Sequence, residues 1–183
     1  APAGFLAEAT SENLMMGVAM GRRSLDTYGS RLTRGPTGLV DNGLGKSVAL
    51  GEIGLLAPTI EVSAPEQTIE LDGRRFVFHN MPGGEAPAEF VFYLPEFQAF
   101  GGAEMMGHTL HNLYTLRGAK VRDGLKWSAH LDDALRHASQ AQVLFLQHHW
   151  PVWGNERIRD FIARQRDVYK YLHDQTVRLM NNG

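Results

Sequence analysis

A β-hairpin is the feature of this sequence that most limits its fold. Strand-forming residues lie on both sides of Asp72-Gly73, a dipeptide that tolerates positive φ and suits a tight turn. The predicted strands are residues 68–71 and 74–80, and a third aromatic and branched run occupies 89–95, where Pro95 ends it. The middle of the chain is therefore predicted to be a sheet.

Helical patterns lie before and after this sheet. A glycine-rich loop with one short strand near its end is predicted at 35–58, and a short buried strand is predicted at 141–147. Helices interleaved with strands predict an α/β protein. The predicted helices cover 5–32 with Ser11 as a cap, 108–119, 128–139 with Ser128 as a cap, and 155–183 with Asn155 as a cap.

The final helix has the strongest amphipathic pattern in the chain. Its apolar stripe predicts a packing face, and the sequence does not show what covers that face. The stripe consists of Ile158, Phe161, Ile162, Val168, Tyr169, Leu172, Thr176 and Leu179.

Composition excludes several classes of partner and site. A chain of 183 residues with 43% hydrophobic and 21% charged residues predicts one soluble domain without a membrane span. The formal net charge of -2 gives no reason to expect nucleic acid. Because cysteine is absent, any metal must be held by His, Asp, Glu and water, and a periplasmic or secreted location stays open. The chain begins with Ala-Pro, which suggests processing or an excerpt.

Carboxylates and imidazoles follow the predicted strands. Glu85, Glu104 and the His148-His149 pair fall where strands or their loops end, and active sites of α/β proteins gather at such ends. Neutral imidazole is a common zinc ligand, and carboxylates also bind zinc. The alternative for each glutamate is a solvated surface side chain.

Polar residues on the predicted helix 108–119 could recognise an anion. Asn112 and Arg117 could present an amide and a guanidinium group to an oxyanion, although pairing of Arg117 with a surface carboxylate is equally compatible with the spacing. His108 and His111, at i and i+3, could ligate a metal jointly, or could cap and pack. Met105 and Met106 suit the core or an apolar pocket.

The sequence contains four informative motifs: PGGEAPAEF, FGGAEMMGHTLHNLYTLRGAKVRD, VLFLQHHWPVWGNERIRDF and QRDVYKYLHDQTVRLMN. Together they resemble the alkylsulfatase branch of the metallo-β-lactamase superfamily. The resemblance extends from Ser11 to the end of the chain and implies the second half of an αββα catalytic domain over 1–153, followed at 154–183 by the start of a helical dimerisation domain. It implies hydrolysis of primary alkyl sulfate esters by a zinc-bound hydroxide.

The resemblance also implies roles for individual residues. Glu85 matches a carboxylate that binds one of two zinc ions, Glu104 matches the carboxylate that bridges them, and His149, or His148 if the register shifts by one, matches a ligand of the second zinc. Asn112 and Arg117 match positions expected to hold the sulfate group.

One motif of that superfamily is missing. The HxHxDH string that supplies four further ligands occurs nowhere in the sequence, which implies that the N-terminal half of the metal site is absent. The isolated chain is therefore expected to be inactive, and association with the missing half or with a second copy is expected. Two alternatives stay open: a non-catalytic assembly half-domain, or a hydrolase of the same fold that acts on another ester.

Overall fold

The computed structural model describes residues 1–46, 52 and 54–183. The strand predicted near the end of 35–58 lies partly outside these residues, and the described part of that stretch forms no regular strand. Within these residues the elements are three α-helices, one short 3-10 helix (Pro95–Phe97) and one sheet of six strands. The helices are α1 (Phe5–Thr27), α2 (Gly124–His137) and α3 (Asn155–Asn182), and the strands are β1 (Glu66–Leu71), β2 (Arg74–Asn80), β3 (Phe90–Leu94), β4 (Ala99–Gly101), β5 (Val143–Phe145) and β6 (Val152–Trp153).

The hairpin and the α/β class are confirmed. Strands β1 and β2 pair antiparallel around Asp72 and Gly73, whose φ angles of 51° and 71° are those of a tight hairpin turn. The spatial order of the sheet follows the chain, from β1 at one edge to β6 at the other. Strands β4 and β5 form the one parallel pair of this described sheet, and the connection between them contains α2.

Two short strands were not expected from the sequence. Strands β4 and β6 contain three and two residues, too few to give a recognisable alternation of polar and apolar residues. They form because long-range pairing with β3 and β5 satisfies their backbone groups.

The predicted helix 108–119 is wrong: this segment is irregular backbone with turns. Contacts with distant residues replace helical hydrogen bonds. The His111 amide donates to the Tyr169 hydroxyl at 3.3 Å, and the Arg122 amide donates to the Leu113 carbonyl at 2.9 Å. Asn112 and Arg117 therefore belong to a loop.

The predicted caps were also wrong. Helix α2 begins at Gly124, and the Asp123 carboxylate accepts hydrogen bonds from the amides of Leu125 and Lys126 at 3.0 Å, whereas Ser128 lies inside the helix. Ser11 lies inside α1, which begins at Phe5. Gly154, at φ 86°, is the residue before α3.

Asn155, the first residue of α3, connects that helix to the end of α2. Its side-chain amide donates to the carbonyls of Ala138 and Ala141 at 3.1 and 2.9 Å. Among the predicted stripe, Ile158, Ile162 and Tyr169 are buried, whereas Val168 and Leu179 are 41% and 60% exposed. Only the first half of α3 packs into the core. This packing does not test the domain boundary predicted at 153/154, which stays a prediction.

The two faces of the sheet differ. One face packs on α2 and α3, and its core includes Val91, Phe100 and Leu144 from the strands with Trp127 and Ile158 from the helices. The opposite face carries a cluster of aromatic rings, most of them half-buried. These rings, called the aromatic face below, are Phe76, Phe78, Phe90, Phe92 and Phe145.

Gly101 is required by the aromatic face. A Cβ at this position would lie 2.6 Å from the ring of Phe92, its partner across β3 and β4. Because such a contact is far inside van der Waals distance, any side chain here would displace the ring. In the described residues, α2 and α3 thus form a helical layer on one face of the sheet, which is the content of half an αββα sandwich.

Candidate active site

The parallel strands β4 and β5 place two candidate residues side by side. Glu104 follows the carboxyl end of β4 and His148 follows that of β5. The His148 Nε2 and Glu104 Oε1 atoms are 2.6 Å apart, and both side chains are about one-third exposed, at 31% and 35%. The expectation that residues at strand ends converge is confirmed for this pair.

A cavity of about 460 Å³ opens beside Glu104. Its wall also includes Asn112, Arg117 and Arg122 from the loop that follows β4, so both predicted anion-binding residues face the same space as the predicted bridging carboxylate. The Asn112 Oδ1 atom accepts hydrogen bonds from Arg122 and Thr115 at 3.2 and 3.3 Å. Since its oxygen is occupied, the carboxamide NH2 of Asn112 is the group left to donate to a ligand.

Arg117, which lines this cavity, has an unsatisfied donor. Its Nε atom is buried and has no hydrogen-bond partner among the described residues. A buried donor without a partner is rare in folded proteins because it loses its hydrogen bond to water. The alternative that Arg117 pairs with a surface carboxylate finds no support, because the ion pairs among the described residues do not include it.

Glu85 lies in a buried ion pair. The Arg122 guanidinium donates to Glu85 Oε1 through Nε at 2.9 Å and Nη2 at 2.5 Å, and His111 Nε2 lies 3.4 Å from the same oxygen. The side chains of Glu85 and Arg122 are only 5% and 11% exposed. Arg122 also donates to the Thr115 hydroxyl at 2.8 Å, so it joins Glu85 to the cavity wall.

Burial changes the protonation of groups behind this pair. Desolvation, reinforced by the charge of Glu85, raises the pKa of Glu89 to about 8. The carboxyl of Glu89 is therefore mostly protonated at pH 7. Burial also raises the pKa of Tyr169 to about 12, so its hydroxyl remains neutral and accepts a hydrogen bond from the His111 amide.

Two residues next to the site have unusual backbone conformations. Ala103, directly before Glu104, has φ 51°, and His149 has φ 69°. Left-handed φ is disfavoured for residues with a Cβ, and such conformations cluster at functional sites. His149 Nε2 lies 3.2 Å from the carbonyl oxygen of Gly43, a residue of the cavity wall, whereas its neighbour His148 contacts Glu104.

The predicted zinc ligands have suitable chemistry but an incomplete arrangement. Carboxylate and imidazole are groups that zinc binds. Glu85, Glu104 and His149 nevertheless do not place three ligand atoms within 4.8 Å of one another. The physical reason is that Glu85 is held by Arg122 and Glu104 by His148. Their roles as ligands of two zinc ions stay a prediction, with His148 as the alternative to His149.

Other predicted participants lie elsewhere. His108 and His111 do not form a joint ligand pair, because His108 Nε2 lies 2.8 Å from the Trp150 carbonyl and His111 contacts Glu85. Met105 and Met106 are 0% and 2% exposed and belong to the core, so they do not line an apolar groove.

Apolar side chains near the cavity come instead from its loops. Leu110, which is 66% exposed, and Leu44 line the cavity, and Leu110 also borders a second cavity of about 350 Å³ against Phe161 and Val168 of α3. The described cavity wall thus includes both side chains that can bind an anion and apolar side chains.

Arg122 is the most connected side chain of the site, and no pattern in the sequence predicts its role. Arg122 reaches Glu85 across 37 residues, and neither spacing nor a local motif predicts that contact. Thr115 and His111 join the network for the same reason. A buried arginine opposite a buried glutamate can be recognised only once the fold has brought them together.

Comparison with known proteins places this geometry in context. The chain is 45% identical over 184 aligned residues to a linear primary-alkylsulfatase from Pseudomonas sp and 44% identical to the alkyl/aryl-sulfatase BDS1 of Saccharomyces cerevisiae. These alignments cover the whole chain but only 27% and 28% of the two relatives. No family model matches the chain.

A solved structure gives the same result. The stereoselective inverting sec-alkylsulfatase Pisa1 from Pseudomonas sp. superposes on 99% of the chain with a TM-score of 0.94 and 38% identity, and the matched region is 29% of that protein. The chain is therefore homologous to alkylsulfatases over its full length and spans somewhat more than a quarter of theirs. The resemblance inferred from its motifs is confirmed. Within the described residues, every helix is too short or too polar to cross a bilayer.

Proposed function

We propose that this chain is part of a zinc-dependent hydrolase of primary alkyl sulfate esters, and that its cavity supplies the sulfate-binding side of the active site. The alkylsulfatase homologues support this reaction class. The observation that carries the proposal is a cavity wall that Asn112 and Glu104 share with Arg117, whose Nε is buried without a hydrogen-bond partner among the described residues.

Each residue has a role that follows from its contacts. Arg117 and the amide of Asn112 donate to oxygens of the sulfate, because both residues line the cavity and each has a donor without a partner among the described residues. Arg122 holds Asn112 and Glu85 in place through its hydrogen bonds to both. Leu110 and Leu44 contact the start of the alkyl chain.

Glu85, Glu104 and His149, with His148 as the alternative, would hold two zinc ions together with ligands that this chain does not contain. Bound zinc acidifies a coordinated water and offsets negative charge on sulfate oxygens. Because the chain holds only part of the set, we expect little turnover by the chain alone.

The sulfate-binding role can be tested without turnover. Hexyl sulfate is titrated into the 183-residue chain, and binding is followed by calorimetry and by amide chemical shifts of the loop 108–119. Arg117→Met should weaken binding by about 10-fold or more, as expected for loss of a charge-assisted hydrogen bond worth about 1.5 kcal/mol or more. Hexanol should bind far more weakly than hexyl sulfate.

Arg164→Met is the matched control, because Arg164 is an exposed arginine outside this cavity. It should leave the affinity for hexyl sulfate unchanged. Equal affinities for the wild-type chain and Arg117→Met, or no measurable binding by the wild-type chain, would refute the sulfate-binding role.

The metal role needs a separate measurement. Zinc per chain is determined by elemental mass spectrometry after gel filtration, for the wild-type chain and for Glu104→Ala. In the complete enzyme, Glu104→Ala should lower both zinc content and turnover, because the proposed bridging carboxylate is lost. Full zinc content with undiminished turnover would contradict that role.

A second candidate function is assembly. The aromatic face and the outer half of α3 expose apolar side chains, among them Leu179 at 60% and Met180 at 76% exposure, that a further half-domain or a second copy could cover. On this proposal α3 begins a dimerisation domain. Light scattering after gel filtration tests it: Leu179→Glu should lower the apparent mass of a dimer, and Arg178→Glu is the control for charge.

A further inference from the structure

A second group of possible metal ligands lies near the edge of the sheet that β1 forms, on strands β1 and β2 and on helix α2. Glu66 and His79 are direct partners across β1 and β2, and His137 lies in the last turn of α2. Each side chain offers one ligand atom, and these three atoms all lie within 4.8 Å of one another. The group shares no residue with the wall of the candidate active-site cavity.

The inner member of this group has an unmet polar atom. The His79 side chain is 6% exposed, and its Nδ1 atom is buried without a hydrogen-bond partner among the described residues. The nearest carboxylate oxygen, Glu66 Oε2, lies 3.4 Å from it. A buried imidazole nitrogen beside a carboxylate and a second imidazole is the arrangement from which zinc sites are built.

The two imidazole rings also lie against each other. Their centroids are 3.4 Å apart and their planes differ by 21°. Burial lowers the pKa of His79 to about 4, and burial also lowers the pKa of His137. Lowered pKa values favour neutral rings, and neutral imidazole is the form that ligates a metal.

The surroundings favour a cation. The C-terminal end of a helix carries partial negative charge, and His137 lies at that end of α2. Arg136 opposes this effect, but its side chain is 66% exposed and contacts Asp132 and Asp133. The Glu66 side chain is 62% exposed, so an ion and a water ligand can approach from solvent.

We propose that Glu66, His79 and His137 bind one divalent cation of the zinc class, with a water molecule as the fourth ligand. The set is one carboxylate and two imidazoles, which zinc takes in tetrahedral sites. Ligand atoms around tetrahedral zinc lie about 3.3 Å apart, given bonds of about 2.0–2.1 Å. Closing the group requires the exposed Glu66 to move inward and the His137 ring to tilt out of its stack.

The test is a titration of the metal-free 183-residue chain with Zn²⁺. Nitrogen chemical shifts of the imidazoles identify the ligands, and calorimetry gives the dissociation constant. We expect the His79 and His137 nitrogens to shift with one equivalent of Zn²⁺. Glu66→Gln and His137→Gln should each weaken this binding event by about 10-fold or more, because loss of even an outer-shell partner of a zinc ligand costs about 10- to 100-fold in metal affinity.

Three comparisons make the test decisive. His173→Gln, on α3 and outside the group, should bind as the wild-type chain does, and circular dichroism should show that Glu66→Gln and His137→Gln remain folded. Glu104→Gln should leave the His79 and His137 shifts intact, which separates this site from the candidate active site. Unshifted His79 and His137 nitrogens, or wild-type affinity in His137→Gln, would overturn the inference. Zn²⁺ shifts confined to the nitrogens of His148 or His149 would also overturn it, but would support the proposed function.

Discussion

Breaking the Glu85–Arg122 ion pair from one side should strongly destabilise this fold. Arg122→Met removes the partner of a carboxylate whose side chain is 5% exposed, and only His111, at 3.4 Å, remains beside the affected oxygen. Breaking a buried ion pair from one side costs about 3–5 kcal/mol, because the remaining charge stays buried without compensation. The two hydrogen bonds from Arg122 to Asn112 and Thr115 are lost as well. We therefore expect a loss near the upper end of this range.

The assay is urea unfolding at pH 7.5, followed by far-ultraviolet circular dichroism. The double variant Glu85→Gln/Arg122→Met should recover part of the loss, because it leaves no buried charge unpaired. Lys170→Met is the control: it breaks the exposed helical pair with Asp174 at 2.5 Å and should cost about 0.5 kcal/mol or less. A loss below about 1 kcal/mol for Arg122→Met would show that the pair behaves like a surface salt bridge and would refute the reasoning.

Three further changes test the fold by the same assay. Gly101→Ala should destabilise the fold by about 1–3 kcal/mol, because its Cβ would meet the Phe92 ring at 2.6 Å. Adding Phe92→Leu to this variant should restore part of the lost stability. An unchanged urea midpoint for Gly101→Ala would contradict the close packing. Asp123→Ala should cost about 1 kcal/mol by removing the cap of α2, whereas a larger effect from Ser128→Ala would favour the cap expected from the sequence. The pKa of Glu89 is raised to about 8 in the folded chain, so the stability that Glu89 contributes is present below pH 4.5 and is lost as the pH rises through 8. Glu89→Gln should flatten the dependence of stability on pH. Parallel plots of stability against pH for the wild-type and Glu89→Gln chains would contradict this reasoning.

The sequence predicts those parts of the fold that depend on local chemistry. Asp72-Gly73 specifies the turn of the hairpin, and the apolar stripe of α3 specifies a helix over 155–182. The spacing of residues in 108–119 resembles a helical face, but no helix forms there. Backbone groups of this segment instead form hydrogen bonds with Tyr169 and Arg122, which lie outside it. Strand β4 escapes prediction because only its pairing with β3 and β5 defines it.

The candidate site is predictable to a similar depth. Glu104 and His148 could be placed together because both follow strands, and the carboxyl ends of parallel strands meet. The motif resemblance selected Asn112 and Arg117, and both line the cavity. The direction in which Glu85 points could not be predicted, since it is decided by Arg122 and His111, which have no sequence relation to it.

The same contacts indicate what a metal ion would have to overcome. Glu85 Oε1 already receives two hydrogen bonds from Arg122, whereas Glu104 Oε1 meets only His148 among the described residues, and both members of that pair are about one-third exposed. Replacing a buried ion pair requires desolvated charges to separate, while a partly exposed pair can exchange partners with water and ions at lower cost. If zinc enters this cavity, Glu104 with His148 should therefore be occupied first. Glu85 should bind zinc only when further ligands offset the loss of its contacts with Arg122. Its role as a ligand therefore depends on the remainder of the active site.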